Sequence, residues 1–227
     1  MHFTHTLLSQ MLLYAITSRR ALPGDDAEQR RRLVELALAW ASGGVHYIQI
    51  REKDLSARQL FELATALKQR LARTPGHRAR LLINDRLDIA LAARLDGVHL
   101  PAAGLAPADI ASRRDLVPPE FLLVVSCHSP AEVFAAARAG AHAAVLGPIF
   151  ATPSKAGQGE PLGPAVLQVA REVSMPVLAL GGITPHNAAE CLAAGAAGLA
   201  GIRLFQEAEP AGVCAALRRL TASPAPG

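Results

Sequence analysis

The chain has 227 residues, 51% of them hydrophobic, with 18 glycines and 16 prolines spread along it, enough for one sizeable core. A formal charge of +4 with only 4% aromatic residues leaves out the stacking platforms of a single-strand nucleic-acid binder and points to a small anionic ligand. Three cysteines, Cys127, Cys191 and Cys214, lack metal-type spacing and fit core positions in a reducing cytoplasm; no leader pattern marks the amino terminus and no apolar run reaches membrane-spanning length, so a cytoplasmic protein with no membrane partner is expected.

In chain order, strand and helix patterns alternate. A strand over about 11–17 is followed by a helix from about Asp26 to Ser42, with Leu33, Leu36, Ala37 and Trp40 at helical spacing; its Arg30-Arg31-Arg32 run reads as a solvated face. Gly43-Gly44 stops it, and a strand from Val45 to Arg51 follows. Ser56-Ala57-Arg58-Gln59 is a capping-box pattern opening the next helix. Then come a strand 80–84, a helix 87–93, a strand 96–100 and a helix 107–116. Phe121 to Ser126 is a continuous apolar run suited to a strand buried on both faces, and Ser129-Pro130 starts its helix. A sixth strand covers 143–147, with a long loop over 148–163 before its helix. A seventh covers 176–181, with Thr184-Pro185 opening a helix, and an eighth covers 197–202 before a last helix over 211–221. The tail 222–227 is expected to be disordered.

Eight such units in one domain over 1–221 predict a closed parallel (β/α)8 TIM barrel. The rival, a doubly wound open sheet, calls for a glycine-rich turn after strand one, where Thr17-Ser18-Arg19-Arg20 stands instead.

In a barrel of this kind the ligand site lies at the carboxyl ends of the strands, and unusual polar residues gather there. Gln49, Arg51 and Lys53 share one parity and form a donor-rich, doubly positive row suited to phosphate. Asn84-Asp85 ends strand three, either as an Asx turn or as an amide and a carboxylate for Mg²⁺ held jointly with a diphosphate. Ser126, Cys127 and His128 end strand five. His128 is a candidate proton carrier, with a structural histidine as the plainer reading, and His99 reads as a satisfied core residue. Thr152, Ser154 and Lys155 lie in the long sixth loop, as donors to a phosphate or as a solvated loop. Gly181-Gly182 offers backbone N–H groups to a phosphate, or simply a tight turn. Arg203 either adds charge to that phosphate or points to solvent.

At these residues the chain resembles the superfamily of thiamine phosphate synthase and thiazole tautomerase. The resemblance is carried by Gln49-Ile50-Arg51-Glu52-Lys53, Ile83-Asn84-Asp85-Arg86, Asp96-Gly97-Val98-His99-Leu100, Ser126-Cys127-His128-Ser129, Gly147-Pro148-Ile149-Phe150, Thr152-Pro153-Ser154-Lys155 and Gly181-Gly182-Ile183-Thr184. It implies a transferase that joins a hydroxymethylpyrimidine diphosphate to a thiazole phosphate, through a displacement in which the pyrimidine methylene becomes cation-like. Its roles would fall to Arg51, Lys53, Asn84, Ser126 and Lys155 for the diphosphate, Asp85 for Mg²⁺ and Gln49 for the pyrimidine. Thr152 and Ser154 would orient the thiazole substrate, whose phosphate would rest on Gly181-Gly182.

Two departures stand out. The synthase pattern His-Leu-Gly-Gln-x-Asp carries a second acid, and here His99-Leu100 is followed by Pro101-Ala102-Ala103-Gly104. That turn is similar to the tautomerase branch, in which the histidine matching His128 transfers a proton. Ile202-Arg203 stands where the family usually has a small hydroxyl residue on the thiazole phosphate, and Arg203 would either strengthen that contact or block it. The synthase is the expected activity, with a tautomerase or a non-catalytic precursor-binding barrel as alternatives. Small phosphorylated substrates are the expected partners, and a homo-oligomer is compatible with the chain.

Overall fold

Eight short strands pair in chain order, each parallel to the next, and the last pairs back onto the first. They are β1 (Leu12–Ile16), β2 (Tyr47–Ile50), β3 (Arg80–Asn84), β4 (Gly97–Leu100), β5 (Leu122–Cys127), β6 (Ala143–Leu146), β7 (Val177–Leu180) and β8 (Gly198–Gly201). Helices α1 (Asp26–Gly43), α2 (Ala57–Ala72), α3 (Leu87–Ala92), α4 (Pro107–Ala111), α5 (Pro130–Arg138), α6 (Ala188–Ala194), α7 (Arg203–Gln206) and α8 (Pro210–Ala222) occupy the connections and the end of the chain. This computed structural model describes residues 11–152, 160–206 and 209–222, and its closed barrel is the (β/α)8 fold expected from the alternation.

Local sequence explains the element boundaries. Ser56 and Gln59 form both halves of the capping box that opens α2. The Ser129 side chain accepts the Glu132 N–H, with Pro130 in the first turn of α5. Along each strand, alternate side chains face opposite sides. Leu12, Tyr14, Ile16, Tyr47, Leu82, Val124, Val145, Leu178 and Ala200 fill the barrel interior, while Leu13, Ile48, Leu81, Val98 and Leu199 pack outward with helix residues such as Leu33, Trp40 and Leu67.

At the amino-terminal end, one residue preceding each of three even strands accepts a backbone N–H from the strand before. His46 Nδ1 takes that of Leu13 at 3.0 Å, Asp96 Oδ2 that of Leu81 at 2.8 Å, and His142 Nδ1 that of Leu123 at 3.0 Å. These side chains tie neighbouring strands together at that end, and Asp96 also pairs with Lys68 of α2 at 2.9 Å.

Four elements depart from the sequence pattern. The helix expected over 107–116 is α4, ending at Ala111, and a separate 3-10 turn, Arg114–Leu116. β2 ends at Ile50, so Arg51 lies just past it and Lys53 sits in a turn, and strand parity therefore stops at Arg51. The helix after β6 is a 3-10 segment, Pro164–Arg171. α6 begins at Ala188 rather than at Thr184-Pro185, because Asn187 takes the Thr184 N–H and donates to the Gly182 carbonyl, holding an intervening turn.

Candidate active site

The mouth is built from the polar ends of adjacent strands. Gln49 on β2 is 1% exposed, and its amide donates to Asn84 Oδ1 on β3 at 3.1 Å. With that oxygen engaged, the Asn84 amide nitrogen remains a donor. The Gln49 Oε1 is buried with no partner, an acceptor left open inside the barrel. On β4, His99 is 2% exposed; its Nδ1 meets the Tyr14 hydroxyl at 2.7 Å and its Nε2 meets Ser126 Oγ on β5 at 2.8 Å. Two hydrogen-bonded groups, Gln49–Asn84 and Tyr14–His99–Ser126, thus line β1 to β5.

Burial, with Arg51 adding to it, pushes the His99 imidazole down to about 3. The unfolded chain takes up that proton near pH 6.5. The contribution of neutral His99 to stability is therefore whole above about pH 6.5 and is lost as pH falls toward the folded value, at up to about 1.4 kcal/mol per pH unit. Urea unfolding at pH 7 and pH 5 is expected to show a steeper loss for the wild type than for His99→Gln, and equal slopes would overturn the assignment of His99 as the buried neutral group.

A second network fixes the loops after β1 and β2. Thr17 Oγ1 donates to Glu52 Oε1 at 2.6 Å and accepts the Arg51 N–H at 2.9 Å. Glu52 also accepts from the Arg19 backbone at 3.1 Å and from its guanidinium at 3.3 Å. Arg19, 4% exposed, goes on to Asp54 at 2.6 Å and Asp26 at 2.9 Å. These contacts hold the Asp54 carboxyl well below the usual carboxylate range, with the Arg19 hydrogen bond as the main cause. The local acids are thereby paired with Arg19, and neither Arg51 nor Lys53 forms an ion pair with a described residue.

Asp85 follows β3 with φ 66°, a left-handed conformation that a short polar residue tolerates better than most. Its N–H donates to the His99 carbonyl at 2.8 Å, extending the β3–β4 pairing by one residue. The carboxylate is exposed and makes no hydrogen bond to a described residue. A Cβ on Gly104 would lie 3.2 Å from Asp85 Oδ1 and 2.8 Å from the Pro101 ring. Position 104 therefore borders this carboxylate, and the proline packs over the space a side chain there would need.

His128 Nδ1 lies 2.6 Å from the Gly147 carbonyl. A carbonyl only accepts, so Nδ1 carries the hydrogen and Nε2 is left as the basic nitrogen. The neighbouring Cys127 is buried and its thiol is pushed up to about 12 by burial, which rules it out as a thiolate nucleophile at neutral pH.

Gly181 and Gly182, after β7, have φ 98° and 64°. A Cβ on Gly182 would sit 2.6 Å from the Ala151 carbonyl oxygen, and one on Gly181 2.7 Å from Pro148 Cα. Glycine is needed here for conformation and for close approach to the sixth loop. Arg203, at the start of α7 beside Ile202, donates to Thr152 Oγ1 at 3.1 Å, so its guanidinium reaches the sixth loop instead of pointing away from it. Ser154 and Lys155 lie outside the described residues. The structure thus brings Gln49, Asn84, His99 and Ser126 together, sets Arg51, Lys53, Asp85 and His128 past the same strand ends, and gathers Thr152, Gly181, Gly182, Ile202 and Arg203 on the β6 to β8 side. Sequence reasoning missed Tyr14, Thr17 and Arg19, for which no local pattern gave a signal, and left Glu52 unassigned; its reading of His99 as a satisfied core residue agrees with the burial and the two hydrogen bonds found.

No helix among the described residues is long and apolar enough to cross a membrane. The family described as thiamine monophosphate synthase matches residues 13–205. Among curated relatives, the thiamine-phosphate synthase of Moorella thermoacetica is 44% identical over 191 residues, 84% of this chain and 87% of that protein. That of Chlorobium phaeobacteroides is 41% identical over 195 residues, 85% and 92% of the two chains. Among solved structures, a thiamine phosphate pyrophosphorylase from Pyrococcus furiosus superposes with a TM-score of 0.77 at 28% identity, covering 95% of this chain and 98% of that one.

Proposed function

The chain belongs to the thiamine monophosphate synthase family, and from that premise we propose how its barrel mouth carries the synthase reaction. The enzyme is a transferase: the bond between the pyrimidine methylene and the diphosphate oxygen breaks, diphosphate leaves with the bonding pair, and the thiazole nitrogen bonds to the methylene carbon to give thiamine phosphate. The observation that carries the assignment of roles is the set of buried polar groups on β2 to β5, with Arg51 and Lys53 directly after β2 and the neighbouring acid Glu52 paired with Arg19.

Arg51 and Lys53 hold the leaving diphosphate, assisted by the Asn84 amide, the Ser126 hydroxyl and Lys155. Charge that develops on the leaving oxygens meets donors already in place, which lowers the barrier to carbon–oxygen cleavage. Gln49 seats the pyrimidine, because its buried and unpartnered Oε1 is satisfied by an incoming N–H such as the ring's amino group. Thr152, Ser154 and Arg203 orient the thiazole phosphate, with Gly181 and Gly182 beneath it and Ile202 along its edge.

The donor set fits Mg²⁺ in a restricted way. Asp85 offers one hard, unpartnered carboxylate, and among the described residues no three His, Cys, Asp or Glu side chains form a metal-binding group. Asp85 would be the residue to hold such an ion, which usually needs few protein carboxylates. When bound, Mg²⁺ supplies positive charge to the leaving diphosphate. A cytoplasmic setting is supported by the three free, buried cysteines.

One observation favours a second reading, thiazole tautomerase: the fixed Nδ1–H tautomer of His128 leaves Nε2 ready to move a proton. The test is an assay of purified protein with both substrates and Mg²⁺, following diphosphate and thiamine phosphate. Turnover at saturating substrate is expected. Its absence, with tautomerase activity that disappears in His128→Ala, would replace the synthase reading with the second.

A further inference from the structure

Tyr14, His99 and Ser126 stand on β1, β4 and β5 and form one chain of hydrogen bonds, 2.7 Å and 2.8 Å long, from the middle of the barrel to its mouth. The direction of the hydrogens along that chain follows from burial. Tyr14 is wholly buried, with the Tyr47 ring 5.7 Å away, and burial pushes its phenol up, so it remains protonated. His99 Nδ1 is its hydrogen-bonding partner. If the tyrosine accepted from Nδ1–H, its own hydrogen would be left in the apolar barrel without an acceptor. The Tyr14 hydroxyl therefore donates to Nδ1.

His99 is 2% exposed and its ring nitrogens meet only the Tyr14 and Ser126 hydroxyls, with no carboxylate among the described residues paired to it, so the buried ring is neutral. A neutral imidazole carries one hydrogen. With Nδ1 accepting, that hydrogen is on Nε2 and is donated to Ser126 Oγ. The serine oxygen is then occupied as an acceptor on its barrel side, and its own hydrogen is turned out toward the mouth.

We propose that Tyr14 and His99 are positioning residues that commit Ser126 to donating its hydroxyl hydrogen to an anionic oxygen at the mouth. Without this arrangement the serine could instead spend its hydrogen on the imidazole and present lone pairs to the anion. The relay thus converts a residue able to donate or accept into one that only donates, which favours a diphosphate oxygen over a hydrogen-bond donor at that place. The target oxygen rests on the synthase reading; the direction of the relay does not.

Two measurements test it. Imidazole ¹⁵N NMR of the wild-type protein at neutral pH is expected to show His99 protonated at Nε2 with a pyridine-type Nδ1, and a loss of that preference in Tyr14→Phe. Protonation at Nδ1 in the wild type would overturn the proposal whether or not the protein turns over. In kinetics, Tyr14→Phe is expected to lower kcat roughly tenfold, and to have an effect of less than about twofold when Ser126 is already alanine. An equal loss in both backgrounds would mean that the tyrosine acts only through packing, and would overturn the relay. Should the wild type give no turnover, the synthase reading falls, and the NMR result alone decides the proposal.

Discussion

Replacing Asp85 by asparagine is expected to lower kcat by about two to three orders of magnitude, the scale found when one preorganised electrostatic group is lost, with little change in stability. Asparagine is the informative substitution because it tolerates the left-handed backbone that Asp85 adopts at φ 66°, so that mainly the charge is removed. The Asp85 side chain makes no hydrogen bond to a described residue, and structural reasons for a loss of activity are correspondingly few. The Mg²⁺ concentration for half-maximal activity is expected to rise together with the fall in kcat. A variant with a near-wild-type rate and unchanged Mg²⁺ dependence would remove Asp85 from the metal-binding role. Supplying a second acid by Gly104→Asp would require Pro101 to shift, since the new Cβ would lie 2.8 Å from its ring.

Arg51→Ala is expected to reduce kcat/KM for the pyrimidine diphosphate by about 10²- to 10³-fold. The backbone of Arg51 is pinned by Thr17, its guanidinium is close enough to depress His99, and the nearby acid Glu52 is consumed by Arg19. Arg51→Lys is expected to recover only part of the loss, because a point charge cannot reproduce the paired donors of a guanidinium facing diphosphate oxygens. Steady-state kinetics with inorganic diphosphate as a competitive inhibitor separates the effects: the inhibition constant should rise along with the loss in kcat/KM. If Arg51→Ala binds diphosphate as tightly as the wild type, Arg51 does not hold the leaving group.

These expectations depend on residues that were legible to different degrees. Gln49 and Arg51 could be found because an apolar strand changes character at its carboxyl end, and a barrel makes that end the ligand site. Lys53 belongs to the same motif but not to the same strand row, since β2 stops at Ile50. Thr184-Pro185 has the local chemistry of a helix start, yet the Asn187 side chain ties Thr184 and Gly182 into a turn and α6 starts later. In each case a local preference was overridden by a contact formed by the folded loop.

By itself, the sequence determined the alternation of strands and helices, the closed parallel barrel that follows from it, and the strand ends at which polar residues collect. Those properties are encoded in short-range periodicity, capping residues and turns, each read within a few positions. Only the tertiary structure decided which polar groups are paired and which remain free. Tyr14 lies 85 residues from His99, and Arg19 lies 33 from Glu52, so no local pattern couples them. Closing the barrel brings β1 beside β2 and places Tyr14 across the interior from His99. It thereby pairs Glu52 with Arg19 and leaves Arg51, Lys53 and Asp85 without an ion pair among the described residues, while His99 is the satisfied core residue the sequence suggested, with Tyr14 and Ser126 as its partners.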